Sequence, residues 1–522
     1  MSIRRVMTIV FVLLLGVWVW RLLGPDVQPN TRQLKPGFVS QHSKDRANAA
    51  KGKVDGTSAF WQAFGSEWAD TDSAYADTLN KSFALAEAPV ERVRFRWADA
   101  TKTWILGSPK AFNRSTTFGQ MADALEEFDD AIDVMEDALG DTPWTERDLV
   151  GLEEWLTDFK RRLPAIESAA DADFLHLPLA RTVGIRERSY VDVSYSMSII
   201  DAAEDLRRSA MLEMGNRRLD EAWRQLCRLD RLLEHYFEDR PSLISYLIVT
   251  ARRDHFEIPL ARLLASPDLD EELLDRIHTR ISQQVQSGRD ASMLKQAIEG
   301  ELVYAKDQFL SVPWVASRIA EISSPMVVTD VPEDNFPEDN PFSIDWRVVL
   351  EHFDQVLLDL ANATTRLDGE RYKTYLASTT KEIEARVERA HQWSGRVVSL
   401  WSRKTRSRNL ADELLALFVD GSQTAANYRL AAERNRARML LAVELVQQNR
   451  LEGIALKDAW ESLDSATRQS AGRCQLEIVR GGFRLSVPDA HALEVASPER
   501  SFAAILDGCR ERLATLATPG QP

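Results

Sequence analysis

The chain has 522 residues, 44% of them hydrophobic, which is ample for a large core and as a prior predicts about three domains or one long helical array. Its net charge of −15 favours an acidic surface and gives no indication of a basic face of the kind that binds nucleic acid or an anionic lipid surface. The cysteines Cys227, Cys474 and Cys509 are too few and too scattered for a disulfide framework or a C-x-x-C metal site, which leaves one pair, Cys474 with Cys509, as a candidate disulfide.

The N-terminal residues 1–24 contain an apolar run, from position 6 to position 24, that is long enough to cross a membrane as a helix of about 28 Å. Trp18 and Trp20 suit a membrane interface, and Arg21 lies near enough to the end of the run for its charge to reach water. No small-residue cleavage site follows. The pattern therefore favours an uncleaved transmembrane signal anchor over a cleaved signal peptide or a buried core helix.

The charges beside the apolar run give its orientation. Arg4 and Arg5 precede it, whereas Arg21, Arg32 and Lys35 lie at its end or beyond it, so the positive-inside bias is small. Two arginines on a short N-terminal tail favour a cytoplasmic N-terminus. We predict a single-pass protein of the bacterial inner (cytoplasmic) membrane whose C-terminal body is extracytoplasmic.

A polar stretch rich in Pro, Gly, Lys and Ser, residues 25–58, is predicted to be a flexible linker. Residues 59–322 are predicted to form an N-terminal helical domain, which begins with an aromatic-rich part and continues as antiparallel helix hairpins. In the first clear helix, apolar residues follow the 4-3 spacing of a coiled coil, with acidic residues on the other face. The predicted helices of this domain share an apolar stripe with a cap, glycine or proline at their ends: 118–139, 149–163, 199–214, 219–237, 242–265, 268–288 and 291–310.

Three of these helices carry specific start or break signals. Thr145 with Asp148 predicts the start of the second helix, and its stripe is Leu149, Leu152, Leu156, Phe159 and Leu163. Pro259 predicts a kink or a break within 242–265. Ser266 predicts the N-cap of the helix that follows.

An acidic, proline-rich segment, residues 323–344, interrupts the helical pattern with a tandem PEDN sequence. Its carboxylates are the hard oxygen ligands that cations prefer: Glu333, Asp334, Glu338 and Asp339. The segment lacks the alternate ligand positions and central glycine of an EF-type loop. The pattern favours an extended connector over a cation-binding loop.

The C-terminal stretch, residues 345–522, is predicted to form a second helical domain with helices at 346–360, 372–401, 410–418, 425–448, around Trp460, and at 498–517. A basic run, residues 403–408, fits a solvated helix end better than a phosphate or lipid contact. Two alternating runs about Gly481–Gly482 predict a β-hairpin at 474–487, with both glycines at positive φ. Its candidates for apolar contact are Leu476, Ile478, Phe483, Leu485 and Val487.

No nucleotide, nucleophile-elbow or zinc-protease motif occurs in the chain. His255 and Glu257 match only half of the zinc deaminase pattern, so His255 is interpreted as a surface residue. Glu299 and Glu301 are two positions apart on a predicted helix and point away from one another, so they cannot flank one substrate bond. We therefore assign no catalytic, cofactor-binding or metal residues.

Two stretches, QAIEGELVYAKDQF and AAERNRARMLLAVELVQQNRLEGIALKDAW followed by GGFRLSV, together with the N-terminal anchor, resemble a broad group of uncharacterised single-pass bacterial helical proteins. The resemblance covers residues 195–490, and here residues 466–472 replace the group's Pro-rich loop. It implies a mainly α fold and an envelope location but no chemistry. We predict a non-catalytic interaction or scaffold protein with a protein partner; the alternatives are a hydrolase or lyase with an inter-helical cleft, and a subunit of a membrane assembly.

Overall fold

The computed structural model describes residues 134–149, 153–175, 185–311, 344–392, 402–463 and 474–517, except 136, 240, 255, 488 and 489, together with 54, 56, 59, 468, 471 and 472. These residues are mainly helical, at 78%, and include a small antiparallel sheet near the C-terminus, so the predicted mainly α class is confirmed. The predicted anchor and the acidic segment 323–343 lie outside this set. Within the set, no helix is both long and apolar enough to cross a membrane.

Twelve helices and three strands are described. The helices are α1 Glu153–Asp171, α2 Ile185–Gly215, α3 Leu219–Asp239, α4 Leu243–Asp254, α5 Glu257–Ala265, α6 Glu271–Gln286, α7 Arg289–Ser311, α8 Trp346–Arg366, α9 Gly369–His391, α10 Arg403–Arg450, α11 Leu456–Ser462 and α12 Phe502–Ala517. The strands are β1 Gln475–Val479, β2 Gly482–Val487 and β3 Ala490–Val495.

The described residues fall into two compact units, each assembled from separate stretches of the chain. Unit A contains 241–246, 290–311, 344–392 and 402–430. Unit B contains the earlier residues up to 239, then 247–289, 431–463 and 474–517. The predicted division at the acidic connector stays a prediction, because that segment is not described.

Unit B is built on the antiparallel pair α2 and α3, with α1 packed against both. Gly215 ends α2 as predicted, and it lies so close to the backbone of Trp144 that a Cβ there would meet the carbonyl oxygen. Asp148 Oδ2 accepts hydrogen bonds from Thr145 N and Oγ1, at 2.7 and 2.8 Å, which confirms the predicted start signal. That signal opens a single 3-10 turn, Glu146–Asp148, and α1 itself begins at Glu153.

The buried stripe of α1 differs from the predicted one. Trp155 stacks on Phe159 with ring centroids 5.2 Å apart, and both are buried, whereas Leu156 and Leu163 are half-buried. The stripe continues through Ile166, which is buried. The larger ring of Trp155 removes more apolar area from water than a leucine, so the helix rotates to bury it.

Several predicted helix boundaries were wrong, among them the start of α2, which lies at Ile185 and not at residue 199. The break expected at Pro259 lies earlier, between α4 and α5, and Pro259 sits in the first turn of α5, where a missing N–H is tolerated. The cap of α6 is Asp270, whose carboxylate accepts from Leu273 N at 2.8 Å, and not Ser266. Helix α9 ends at His391, ten residues before the predicted end.

Helix α10 is continuous, although two separate helices were predicted there. It runs through Gly421, where an added Cβ would meet nothing within 4 Å, and Ser422 Oγ donates to Phe418 O at 3.0 Å. A glycine inside a helix costs only about 1 kcal/mol relative to alanine, so packing on both sides of it can maintain the helix. The basic run 403–408 is the first turns of this helix, and Arg406 and Ser407 are buried, which contradicts the predicted solvated end.

The sheet confirms the predicted hairpin and extends it by β3, in the order β1-β2-β3. Gly481 has φ +79° in the turn, but Gly482 is a strand residue paired with Val479, so the prediction of positive φ at both glycines was wrong. A Cβ on Gly482 would lie 1.9 Å from Val495 O. Phe483, Leu485 and Val487 are buried as expected, whereas Ile478 on the edge strand is 59% exposed.

Candidate functional site

A buried aspartate lies at the centre of unit B. Asp230 belongs to α3, where Leu226, Leu229 and Leu233 form the surrounding buried stripe, and only 5% of Asp230 is exposed. A carboxylate removed from water is stable only when other groups replace its hydration. The neighbouring helices provide those groups.

Four side chains from three other helices donate to this carboxylate. Arg253 Nε of α4 donates to Oδ1 at 3.2 Å. The other oxygen, Oδ2, accepts from Gln284 Nε2 at 2.9 Å and Arg280 Nη2 at 3.0 Å, both on α6, and from Arg289 Nη1 of α7 at 3.4 Å. Asp230 thus cross-links four helices. We call these five residues the Asp230 cluster.

The charge state of the cluster follows from its geometry. Burial by itself raises the pKa of Asp230, but the guanidinium groups of Arg253, Arg289 and Arg280, with that of Arg436, hold its pKa well below the usual range. The carboxylate is therefore ionised throughout the physiological range. Arginine keeps its charge there as well, so the cluster is a permanent network of charges.

A cavity of about 20 Å³ lies beside Asp230. Its polar lining consists of Asp230, Arg253, Glu257, Gln284, Asn435 and Arg436. Its apolar lining consists of Leu229, Phe256, Ala432 and Met439. The volume exceeds the roughly 10–15 Å³ that one water needs but is far below the roughly 300–1,000 Å³ of a site that encloses a drug-sized ligand. The cavity can therefore take one small chemical group.

The lining residues suit binding better than proton transfer. The second carboxylate, Glu257, accepts from Arg438 Nη2 at 3.1 Å, so each carboxylate at the cavity lies against an arginine. Among the described residues, the lining holds no serine, threonine, cysteine, histidine, lysine or tyrosine. A general acid or base needs a pKa near the working pH, and the pKa of Asp230 is moved away from it. The described lining offers two arginines, two carboxylates and the side-chain amides of Gln284 and Asn435 to a bound polar group.

A second charged group in unit B lies along α2. Burial and the neighbouring charge of Asp205 raise the pKa of Asp201 to about 7, while Arg208, Arg162 and Arg252 oppose the rise. Asp205 itself accepts from Arg162 Nε and Nη2 at 3.0 and 2.8 Å. Among the described residues, Asp201 is a carboxyl group whose pKa is raised to near neutrality, and it is not among the residues that line the cavity beside Asp230.

Glu299 and Glu301, which the sequence analysis considered as a pair of carboxylates, have different partners in the structure. Glu301 Oε1 accepts from Leu243 N at 2.8 Å, and burial raises its pKa. Glu299 forms an ion pair with Lys295 at 3.7 Å instead. They serve different partners, as expected for positions two apart on a helix. His255 and the PEDN carboxylates lie outside the described residues.

The cysteines are all described, and none forms a disulfide. Cys474 and Cys509 are buried, whereas Cys227 is half-buried. Burial raises the pKa of Cys227 and of Cys474 to about 11, so both are neutral thiols at physiological pH. Searched over the described ranges alone, the chain has no cluster of three or more histidine, cysteine or carboxylate side chains that could hold a metal ion.

Sequence reasoning did not find the Asp230 cluster, because its donors lie 23 to 59 positions away from the aspartate along the chain. One local signal existed. Asp230 falls four residues after Leu226 and three before Leu233, on the apolar stripe of α3, where a lone charge requires a partner.

A scan against models of known protein families, a search of curated proteins and a search of solved structures found no match to this chain. The resemblance of residues 195–490 to single-pass bacterial helical proteins stays a prediction. The geometry of unit B is therefore the basis for a function.

Proposed function

We propose that this protein is a membrane-tethered helical binding protein of the bacterial cell envelope, which holds another molecule and does not transform it. The observation that carries the proposal is the cavity beside Asp230. Arginines hold Asp230 ionised and Glu257 pairs with Arg438, and the described part of the lining has no serine, threonine or cysteine nucleophile. Such a site can bind but has little means of catalysis.

Two further features support the architecture of this proposal. The apolar run at residues 6–24 has the length and flanking residues of a signal anchor with the body outside the cytoplasm. Consecutive helices pack as pairs, α2 with α3 in unit B and α8 with α9 in unit A, which supports an array of helix hairpins. Such arrays present extended surfaces to a protein partner.

One observation favours the hydrolase or lyase alternative. The pKa of Asp201, raised to about 7, is typical of a general acid or base. Its neighbours on α1, α2 and α4 are arginines and another aspartate, and arginine networks also perturb pKa values in purely structural roles.

The tether and the binding role are tested together in the native cells. We expect alkaline carbonate to leave the full chain in the membrane fraction, and protein sequencing to find an intact N-terminus. Affinity purification after cross-linking should then recover one partner at constant stoichiometry. The matched control is a chain without residues 2–24, which should be extracted by carbonate and lose that partner.

Two results contradict the proposal. A mature form that begins near Asp26 in the soluble fraction would show cleavage, and not anchoring, of the N-terminal run. Turnover of an ester, amide or glycoside by the purified full chain, lost on Asp201→Asn, would favour the enzyme alternative.

A further inference from the structure

We propose that the outer edge of β1 is a self-association site, at which two copies of this chain pair their β1 strands antiparallel into one continuous sheet. The inference goes beyond the proposed function and does not depend on it, because it concerns contact between identical chains. Three observations carry it: an outer edge of β1 without a neighbouring described strand, an exposed apolar side chain on that edge, and a strand sequence that is symmetric about Glu477.

The outer edge of β1 carries backbone groups that the sheet does not use. Among the described strands, β1 lies at the end of the order β1-β2-β3 and pairs on one side alone. Val479 faces Gly482 across a two-residue turn; such a closing pair is hydrogen-bonded, and hydrogen-bonded pairs then alternate along the strands. Leu476 and Ile478 fall between the hydrogen-bonded pairs, so their N–H and C=O groups point away from β2. No other described element provides a hydrogen bond to these groups.

The same edge exposes apolar surface. Ile478 is 59% exposed, although its cross-strand neighbour Phe483 is buried. Leu476, two positions earlier on the same face, is half-buried. Natural edge strands are often protected by proline, lysine or a bulge, and β1 has neither proline nor lysine, while the irregular register lies between β2 and β3. An added strand would cover Ile478 and bond to the outward backbone groups.

A second β1 strand fits this edge because the strand is symmetric about Glu477. When Glu477 faces its own copy, Leu476 of each chain lies opposite Ile478 of the other chain. Two residues that both direct their backbone groups outward can exchange both N–H···O=C hydrogen bonds, so every outward group of these residues finds a partner. Their side chains share one face of the sheet, where each Ile478 packs on the Leu476 of the other copy.

Glu477 limits the strength of this pairing. Its side chain is 59% exposed and would face the same carboxylate across the two-fold axis, and like charges directly opposite one another are destabilising. Arg484, 3.5 Å from Glu477, offsets part of the repulsion. A strand of 5 residues also buries much less than the roughly 1,200–2,000 Å² of a stable complex. We therefore expect a weak dimer, with a Kd on the order of 0.1 mM.

Cysteine substitutions in the purified full chain in detergent test where the copies meet. Residues that face each other in a non-hydrogen-bonded antiparallel pair have Cα atoms about 4.5 Å apart, which a disulfide can span. Under mild oxidation, Glu477→Cys should therefore give a disulfide-linked dimer on a non-reducing gel. Asp220→Cys, on α3 and 62% exposed, is the matched control and should give no more dimer than the native chain.

Two further variants test the strength of the contact by sedimentation velocity. Glu477→Gln removes the like-charge repulsion and should lower the Kd of the dimer at least about threefold. Ile478→Pro removes an N–H that β2 does not use, so it should leave the hairpin folded and abolish the dimer. If circular dichroism shows that Ile478→Pro is misfolded, Ile478→Lys replaces it and should raise the Kd at least about tenfold, since lysine protects strand edges.

The proposal is overturned if the native chain stays monomeric up to about 0.3 mM, if Glu477→Cys forms no more dimer than Asp220→Cys, or if Ile478→Lys dimerises as the native chain does. Weaker dimerisation of Glu477→Gln would also overturn it, because Glu477 would then meet a positive group. Linkage of Glu477→Cys to a different protein in native cells, without the homodimer, would assign the edge to another occupant. None of these measurements uses the partner that affinity purification seeks, so either proposal can fail while the other stands.

Discussion

Each unit contains a buried aspartate shared between helices, and the two aspartates are treated differently. In unit B, Asp230 accepts from three arginines and a glutamine, and its pKa is held far below the usual range. In unit A, Asp412 Oδ1 of α10 accepts from Arg386 Nε of α9 at 3.0 Å and lies 2.9 Å from His352 Nε2 of α8.

The two aspartates differ in whether their partners can change charge within the physiological pH range. A guanidinium group keeps its charge at every physiological pH, whereas an imidazole can gain or lose a proton there. Asp230 also accepts from three arginines and a glutamine, whereas the described partners of Asp412 are one arginine and one histidine. Unit B has a fixed charge centre beside a cavity, and unit A has an adjustable link between helices.

The largest effect is expected for Asp230→Ala, which leaves three guanidinium groups close together without their shared carboxylate. Removing one partner of a buried ionic network costs about 3–5 kcal/mol. Urea denaturation of the full chain should show this loss, and hydrogen exchange should place it in α3, α4 and α6. Asp220→Ala, on the same helix but exposed, is the control and should change little. Equal losses in both variants would contradict a special role of Asp230.

The next effect concerns the pH dependence of unit B. The folded pKa of Asp201 is about 7 and its ordinary value is 3.8. Between these values the folded chain retains a proton that the unfolded chain has released, so the free energy of unfolding falls as pH rises. Asp201→Asn should remove this fall and give a gain of at most about 4 kcal/mol above pH 7 and almost none at pH 4. Unfolding curves at pH 4, 5.5, 7 and 8 test it; a pH-independent difference would contradict the assignment.

Asp412→Asn should have a smaller effect than Asp230→Ala, since the amide still accepts one hydrogen bond and its partners reach water. We expect a loss of about 1–3 kcal/mol, the usual cost of a charge-assisted hydrogen bond. Hydrogen exchange should speed up in α8, α9 and the first half of α10. Glu413→Gln, the neighbouring position, whose partner His391 is exposed, is the control. A loss as large as that of Asp230→Ala would remove the distinction between the units.

The smallest effect is expected on the sheet. Arg484 forms ion pairs with Glu494 at 2.5 Å and Glu477 at 3.5 Å, but all three side chains are substantially exposed. Exposed pairs gain little because solvent screens them. Arg484→Gln should leave the Tm of the full chain within experimental error. A clear fall in Tm would show that exposed charges contribute as buried ones do.

The sequence predicted those features that local chemistry determines. The bounds of α3 follow from its apolar stripe between Gly215 and Pro241, and the turn at Gly481 follows from the need for positive φ. Gly482 shows the limit of such reasoning. Its requirement for glycine comes from the carbonyl of Val495 on β3, a contact between strands that no local pattern near the turn reveals.

Long-range packing determined what the sequence did not predict. Gly421 and its polar neighbours have the composition of a loop, yet α10 passes through them because the buried residues on both sides outweigh the propensity. The partners of Asp230 could not be predicted for a similar reason. An acidic residue on an apolar stripe indicates that a basic partner exists, but the sequence does not show which arginines contact it. The cavity depends on side chains from five helices, α3 to α6 and α10.

The division of unit B along the chain has a consequence during synthesis. Its last stretch begins at residue 431, whereas the preceding one ends at 289, so roughly 140 further residues must be made first. At about 5–20 residues per second, the ribosome needs roughly 7–30 s for this, during which the cavity beside Asp230 lacks the wall that α10 provides. A chain that stops short of residue 431 would keep the Asp230 donors Arg253, Arg280 and Arg289 but would lack the α10 side of the cavity wall. Apolar residues that α10 covers in the full chain would then be exposed to chaperones.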